Sequence, residues 1–307
     1  MGKKQKSKFT IWAEYIPFLI FYKFMRLIPL KAAYALSSFF IGCGYYLDAR
    51  HRNRTINHML HAGIVKDRKE AVKLAKKCWH EFSMLLAEIF KMDQCYEKAK
   101  ITVSGPPESV REFYKETAKF KTHILGVAHY GNWEAAGHAY CELSGRTMAS
   151  MMRPFDNPKI GELILSHRAS PLHQLIPKNL GIRQGLKALN EGRVFTVLVD
   201  QHAAHNEGVE TIFFGHPCMT HKTPALMHLK TGHPLIPEVT RRLPGKDFRF
   251  EIVLGNMIKY EPTDDKERDV QVITQMCTTE LERLIREQPE QWMWAARRWL
   301  DADGRHR

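Results

Sequence analysis

The sequence predicts an α/β fold, a mixed, largely parallel sheet flanked by helices, with an N-terminal helical membrane anchor ahead of it. Two observations carry this expectation. From Ser104-Gly105-Pro106-Pro107 onward, short apolar runs alternate with helical stretches, as they do in α/β chains. At the other end, the first fifty residues combine two apolar stretches with basic flanks. The expected organisation is residues 1–50 as a basic, hydrophobic anchor and residues 51–307 as a single α/β domain, a length within reach of one large core.

The chain starts MGKKQKSK, and apolar stretches follow at roughly Ile11 to Leu30 and Ala32 to Leu47, interrupted by Lys23, Arg26, Pro29 and Lys31. Neither is an uninterrupted twenty-residue span, and the charges argue against a cleaved secretory signal. Lys6 stands where a myristoylation signal wants Ser or Thr. The second flank, Asp48 to Arg54, is also basic, so both ends of the unit are expected on the cytoplasmic side. A helical hairpin or an in-plane anchor fits this, held down by about 1 kcal/mol per Lys or Arg beside an anionic leaflet. A pair of ordinary core helices is the alternative.

Glu70 to Phe90 places Val72, Ala75, Trp79, Phe82, Leu85, Leu86 and Ile89 at helical intervals, with Lys73, Lys76 and Lys77 on the solvated face. Three buried strands are then expected at Ile124–Ala128, Met148–Met152 and Val194–Val199. His129, Arg153 and Asp200 follow them directly. If the strands are parallel, these polar groups meet in one crevice at the carboxyl edge of the sheet. Further strands are expected at His233–Thr240 and Phe248–Leu254, the latter as an antiparallel edge, with a turn at Leu243–Asp247. A helix from about Asp264 to Arg286 ends before Gln288-Pro289.

The formal charge of +13, from 46 Lys and Arg against 33 Asp and Glu, implies an anionic partner: lipid headgroups, nucleic acid or an acidic protein. No nucleic-acid motif is readable. The six cysteines, at 43, 78, 95, 141, 218 and 277, form no C-x-x-C pair and fit small buried hydrophobes in a reducing, cytoplasm-facing setting. Histidines at 202, 205, 216, 221, 228 and 233 cluster without any recognised ligand spacing, so no metal is expected.

His129 leaves a strand, and Glu134 follows five positions later with Gly131 and Asn132 between them. In a strand-to-helix turn, Glu134 would reach back to fix the imidazole tautomer and leave the other ring nitrogen free to take a proton. Such a base typically contributes about 10²- to 10⁴-fold. No G-x-S-x-G elbow is present and no cysteine adjoins His129, which favours direct activation of a hydroxyl over a covalent acyl-enzyme.

The segment His129-Tyr130-Gly131-Asn132-Trp133-Glu134 resembles the H-x₄-D/E block of the bacterial lauroyl/myristoyl lipid A acyltransferases, in the glycerolipid acyltransferase superfamily. Met152-Arg153-Pro154-Phe155-Asp156-Asn157-Pro158 is similar to the family's arginine and Asn-Pro segment. Arg168 falls where the family has a catalytic-site arginine, and Asp200 where it has an active-site aspartate. Pro289-Glu290-Gln291-Trp292-Met293-Trp294, with Arg297-Arg298, resembles its C-terminal block. Two positions depart from the pattern: His202 replaces a second acidic residue, and Ala296 a histidine.

The resemblance implies a glycerolipid acyltransferase-like fold and transfer of a fatty acyl chain from a thioester to a hydroxyl of a lipid A precursor. The thioester is expected on acyl carrier protein, with acyl-CoA as the alternative donor and another glycolipid or phospholipid as the alternative acceptor. No cofactor and no nucleic acid are expected. The implied place is the cytoplasmic face of a bacterial inner membrane, with its anionic surface as a further partner. His129 is the expected base and Glu134 its orienting group. Arg168 would steady the oxyanion or bind a phosphate, and Asp200 would position Arg168 or the acceptor. Gly131 would let substrate approach the backbone, while Asn132 shapes the pocket. Arg153 and Asn157 belong to a substrate-binding loop, and Arg297 and Arg298 are expected to meet lipid phosphate or the carrier protein. A non-catalytic basic membrane adaptor is the reading from a different class.

Overall fold

A computed structural model describes residues 6–97, 100–116, 120–166, 171–245 and 247–300. Its first part is helical: α1 (Lys8–Leu27), α2 (Leu30–Leu47), α3 (Ala49–His61) and α4 (Arg68–Cys95). Caps define these starts. The side chains of Ser7, Asp48 and Asp67 accept from the amides of Thr10, His51 and Glu70, which satisfies one orphan donor in each first turn. The Asp67 cap explains why α4 outruns the apolar stripe expected from Glu70.

Tyr22 and Met25 of α1 and Ala33 and Tyr34 of α2 pack on Met84, Ala87 and Phe90 of α4 as a separate small core. Burying the larger of these side chains contributes roughly 1.5–3 kcal/mol each. Lys91 of α4 reaches the end of α1 and donates to the carbonyls of Arg26 at 3.0 Å and Ile28 at 2.8 Å. Among the described residues, no helix is long and apolar enough to cross a membrane. The N-terminal apolar stretches instead form two helices built against α4.

The rest is an α/β layer structure. Strands β1 (Ile101–Ser104), β2 (Ile124–Gly131), β3 (Met148–Met152), β4 (His173–Pro177), β5 (Val194–Leu198), β8 (Leu235–Arg242) and β9 (Phe250–Leu254) form one sheet in the order β1-β9-β8-β2-β5-β3-β4. The block β8-β2-β5-β3-β4 is parallel throughout. Strand β9 runs antiparallel to β8, as expected, but β1 pairs outside it, so β9 is not the edge. The remaining strands, β6 (Gly208–Phe213) and β7 (His216–His221), form a separate hairpin.

Two helical layers cover the sheet. Apolar residues of α8 (Gly181–Asn190), α9 (Thr223–Thr231) and α10 (Lys266–Glu287) join one core with Ile124 and Ala128. Those of α5 (Pro107–Phe113) and α6 (Trp133–Ser144) join the other with Leu125 and Val127. Helix α10 lies so close that a Cβ at Gly126 would sit 2.6 Å from Cys277 Sγ. The remaining helix, α7 (Pro158–Ser166), follows β3. Cys78, Cys141, Cys218 and Cys277 are buried thiols, as their reading as small hydrophobes expects, whereas Cys43 is exposed.

Candidate active site

Strands β2 and β5 are hydrogen-bonded neighbours, paired Val127 with Leu198, so the residues just past that pair converge. Asp200, buried, holds His129 at two points. Its Oδ1 lies 2.7 Å from the ring Nδ1, and its Oδ2 accepts from the His129 amide at 2.8 Å. Trp292 donates its indole N–H to the same Oδ2 at 2.7 Å. The carboxylate therefore receives three hydrogen bonds of charge-assisted length. Its ring bond fixes the proton on Nδ1 and presents Nε2 as the basic nitrogen.

The His129 side chain is 18% exposed. Burial alone depresses its pKa, but the charge of Asp200, the hydrogen bond to it and the weaker field of Glu134 outweigh that and raise it above 6.5. For Asp200 burial raises the pKa; the His129 charge and the converging donors prevail, and it lies below 3.8. The side-chain amide nitrogen of Gln201 stands 3.3 Å from His129 Nε2 and 3.4 Å from Nδ1, over the face of the ring. Trp133 meets the imidazole edge to face at 5.1 Å.

A cavity of about 560 Å³ opens beside these groups. Trp79, Phe82 and Leu85 of α4, with Trp133, Trp292 and Met293, supply apolar wall, while Asp48, His51 and Arg54 form a polar stretch. A second cavity, about 160 Å³, lies between the sheet and α6, with Trp133 and Glu134 in its lining.

The expected site residues fare differently. His129 and Asp200 come together. The orienting bond expected of Glu134 is made by Asp200: Glu134 accepts from Trp133 Nε1 at 3.1 Å and acts on His129 through its charge. The physical reason is direction, because Asn132 caps α6 through the Ala135 amide and the helix carries Glu134 onward in its first turn. Gly131, at φ +56°, lines the larger cavity and is also demanded by its neighbour strand: a Cβ there would lie 2.0 Å from the Thr240 carbonyl oxygen.

Asn132 is buried, and its amide donates to Glu88 of α4 at 2.9 Å. Glu88 also accepts from Tyr34 at 2.9 Å and pairs with Arg242 of β8. Asn157 caps the start of α7 and donates to the Ile11 carbonyl and to Glu14 of α1, making it a strut between helices. Arg153 is exposed and pairs with Asp156 at 3.6 Å. Arg298 is buried, over the Phe213 ring, and donates to Met219 O at 3.2 Å and Thr220 Oγ1 at 2.8 Å. It therefore ties the C-terminal segment to β7 and offers no surface to a carrier protein, whereas Arg297 is exposed. Arg168 lies outside the described residues.

Trp292 stands in the C-terminal block and Gln201 directly after Asp200. Only the fold brings them to this centre, so no local spacing assigns them to it. The expected C-terminal block as a whole does reach the site, because the Met293 amide donates to the His129 carbonyl at 3.0 Å.

Residues 2–301 match the family model for bacterial lipid A biosynthesis acyltransferase. Phosphatidylinositol mannoside acyltransferases of two Mycobacterium tuberculosis strains, H37Rv and CDC 1551, are 26% identical over 183 residues, 58% of this chain and 54% of each relative. The chain thus spans about half the length of these curated relatives. The crystal structure of a 1-acyl-sn-glycerophosphate acyltransferase from Thermotoga maritima aligns over 82% of this chain and 94% of its own. Its identity of 14% and TM-score of 0.33 are too low to carry a structural argument.

Proposed function

Since the chain belongs to the bacterial lipid A biosynthesis acyltransferase family, we propose that it moves a fatty acyl group from an acyl thioester to a hydroxyl of a lipid A precursor, with His129 as general base. The observation that carries this is the 2.7 Å bond between His129 Nδ1 and Asp200, which reserves Nε2 for a substrate proton. Nε2 takes the proton of the acceptor hydroxyl as its oxygen attacks the thioester carbonyl. Asp200 stabilises the imidazolium that forms. Collapse of the tetrahedral intermediate expels the thiolate, which recovers the proton from His129, leaving an ester and a free thiol. The apolar walls of the larger cavity suit the acyl chain.

The donor is proposed to be acyl carrier protein, an acidic partner suited to a chain of formal charge +13. Membrane association, on the cytoplasmic face of a bacterial inner membrane, is part of the proposal. Phe9, Trp12, Ile16, Ile20, Phe24 and Leu27 repeat at three- and four-residue steps along α1 and are all exposed, Phe9 and Leu27 at 83%. Such a face suits a helix lying in the interfacial plane. The relatives named for phosphatidylinositol mannoside favour a second reading in which the acceptor is another glycolipid.

The test is transfer by the purified full chain in detergent micelles. Acyl carrier protein and CoA thioesters are compared as donors, a lipid A precursor and a phosphatidylinositol mannoside as acceptors, with products read by mass spectrometry. Acylated lipid A precursor, formed faster from the carrier protein, is the expected result. Acylation of the mannoside alone selects the second reading, and no transfer to either lipid overturns both.

A further inference from the structure

We infer that Trp292 is a positioning residue of the catalytic centre, its indole N–H holding Asp200 in the one orientation that fixes the His129 ring. This rests on the reading of His129 as the base. Asp200 has two oxygens and three donors around them. Oδ1 serves the ring Nδ1 at 2.7 Å, whereas Oδ2 is shared by the His129 amide at 2.8 Å and Trp292 Nε1 at 2.7 Å. Both bonds from His129 move with that residue's own strand. Trp292 supplies the only one of the three from a separate element, so it ties the carboxylate to the rest of the protein.

The indole is itself immobilised. It is buried, packed against Phe213, Phe214, Trp294 and Trp299 at centroid distances of 4.5 to 6.1 Å. Its backbone is fixed as well: its carbonyl accepts from Cys78 Sγ at 3.2 Å, and the next residue's amide donates to His129 O at 3.0 Å. A rigid donor is what a preorganised site needs from its supporting groups. The N–H also spreads the negative charge of Asp200. Without it the carboxylate becomes more basic, binds the imidazolium proton harder and leaves less neutral His129 near neutral pH.

The test is Trp292→Phe in the full chain, which keeps the aromatic packing and removes the N–H. The expected outcome is a kcat lower by about ten-fold with KM within two-fold, and an acid limb of the kcat/KM pH profile moved to higher pH. In an Asp200→Asn background the same substitution costs almost nothing further, because both act through one carboxylate. An unchanged acid limb, or losses that add in the double variant, overturns the inference.

If Trp292→Phe does not fold, the unmutated protein still decides. With ¹⁵N-labelled tryptophan, the Trp292 indole resonance must titrate with pH together with the His129 ring, and an indole resonance that ignores that titration overturns the inference. Absence of any acyl transfer by the unmutated chain counts against the proposed function, and the indole titration then judges the relay alone.

Discussion

A histidine–carboxylate pair stands at each end of β2, and the two are built differently. His123, just before the strand, has Glu112 Oε1 at 3.2 Å from Nδ1 and the Tyr140 hydroxyl at 2.5 Å from Nε2. Arg146 donates to the same Glu112 oxygen at 2.8 Å, and His123, Glu112 and Tyr140 are fully buried. His129, at the other end, has a carboxylate on Nδ1 alone, and its ring is reachable. The pKa values part in opposite directions. For His123 burial prevails over Glu112 and lowers it; for His129 the Asp200 interactions prevail over burial and raise it. A carboxylate beside an imidazole does not by itself make a base. What distinguishes His129 is a second nitrogen met by the Gln201 amide at 3.3 Å and by no tight buried partner, at the end of the sheet where a cavity opens.

Substitution should separate the two pairs. His129→Ala is expected to lower kcat about 10³-fold or more in a protein that still folds; full activity would break the contrast at once. Asp200→Asn should cost on the order of 10²- to 10⁴-fold through the wrong tautomer. Glu134→Gln, which removes the weaker of the two carboxylate charges acting on His129, should cost roughly ten-fold or less. Measuring both with one donor tells which carboxylate orients the ring, and a larger loss in Glu134→Gln would reverse the assignment.

At the other end, Glu112→Gln should destabilise the fold by about 3 kcal/mol, as expected on removing one partner of a buried ion pair, with activity per folded molecule kept. Denaturant unfolding beside a rate assay reads this. The smallest effects are in pH. Because the base must be neutral and its pKa is raised, the acid limb of kcat/KM should lie above pH 6.5. Stability linkage runs oppositely for the two rings. His129, raised on folding, contributes stability present below pH 6.5 and lost as pH rises through its folded value. His123, lowered on folding, contributes stability present above pH 6.5 and lost as pH falls through its folded value. Melting curves of His129→Ala and His123→Phe across this range test the two signs.

Strands β2, β3 and β5 were legible in the sequence because parallel strands buried on both faces read as continuous apolar runs. Strands β1 and β4 were not. Ile101–Ser104 is four residues long, and His173–Pro177 begins on a polar pair and ends in proline. The hairpin β6–β7 alternates too many polar residues to stand out, and its His216 and His221 read only as part of a histidine cluster without ligand spacing. At the site, His129 was legible from its place after an apolar run. Its partner was not, because a local spacing pointed to Glu134, whereas Asp200 lies 71 residues away and arrives only through the adjacency of β2 and β5. Asn132 and Asn157 read as site residues because they sit in the right segments. Their side chains cap the starts of helices, a use to which asparagine is equally suited.

The Tyr34 hydroxyl, one of the donors to Glu88, carries a practical consequence. Glu88 accepts from Asn132, three residues from His129 along the chain, so Tyr34, near the start of α2, stands two hydrogen bonds from the turn that follows His129. Trimming the first fifty residues to obtain a more tractable enzyme would strip Phe90 and Met84 of their cover and take a donor from that carboxylate. What looks in the sequence like a detachable tether is packed into the scaffold that holds Asn132, and a shortened protein should lose stability and, with it, turnover.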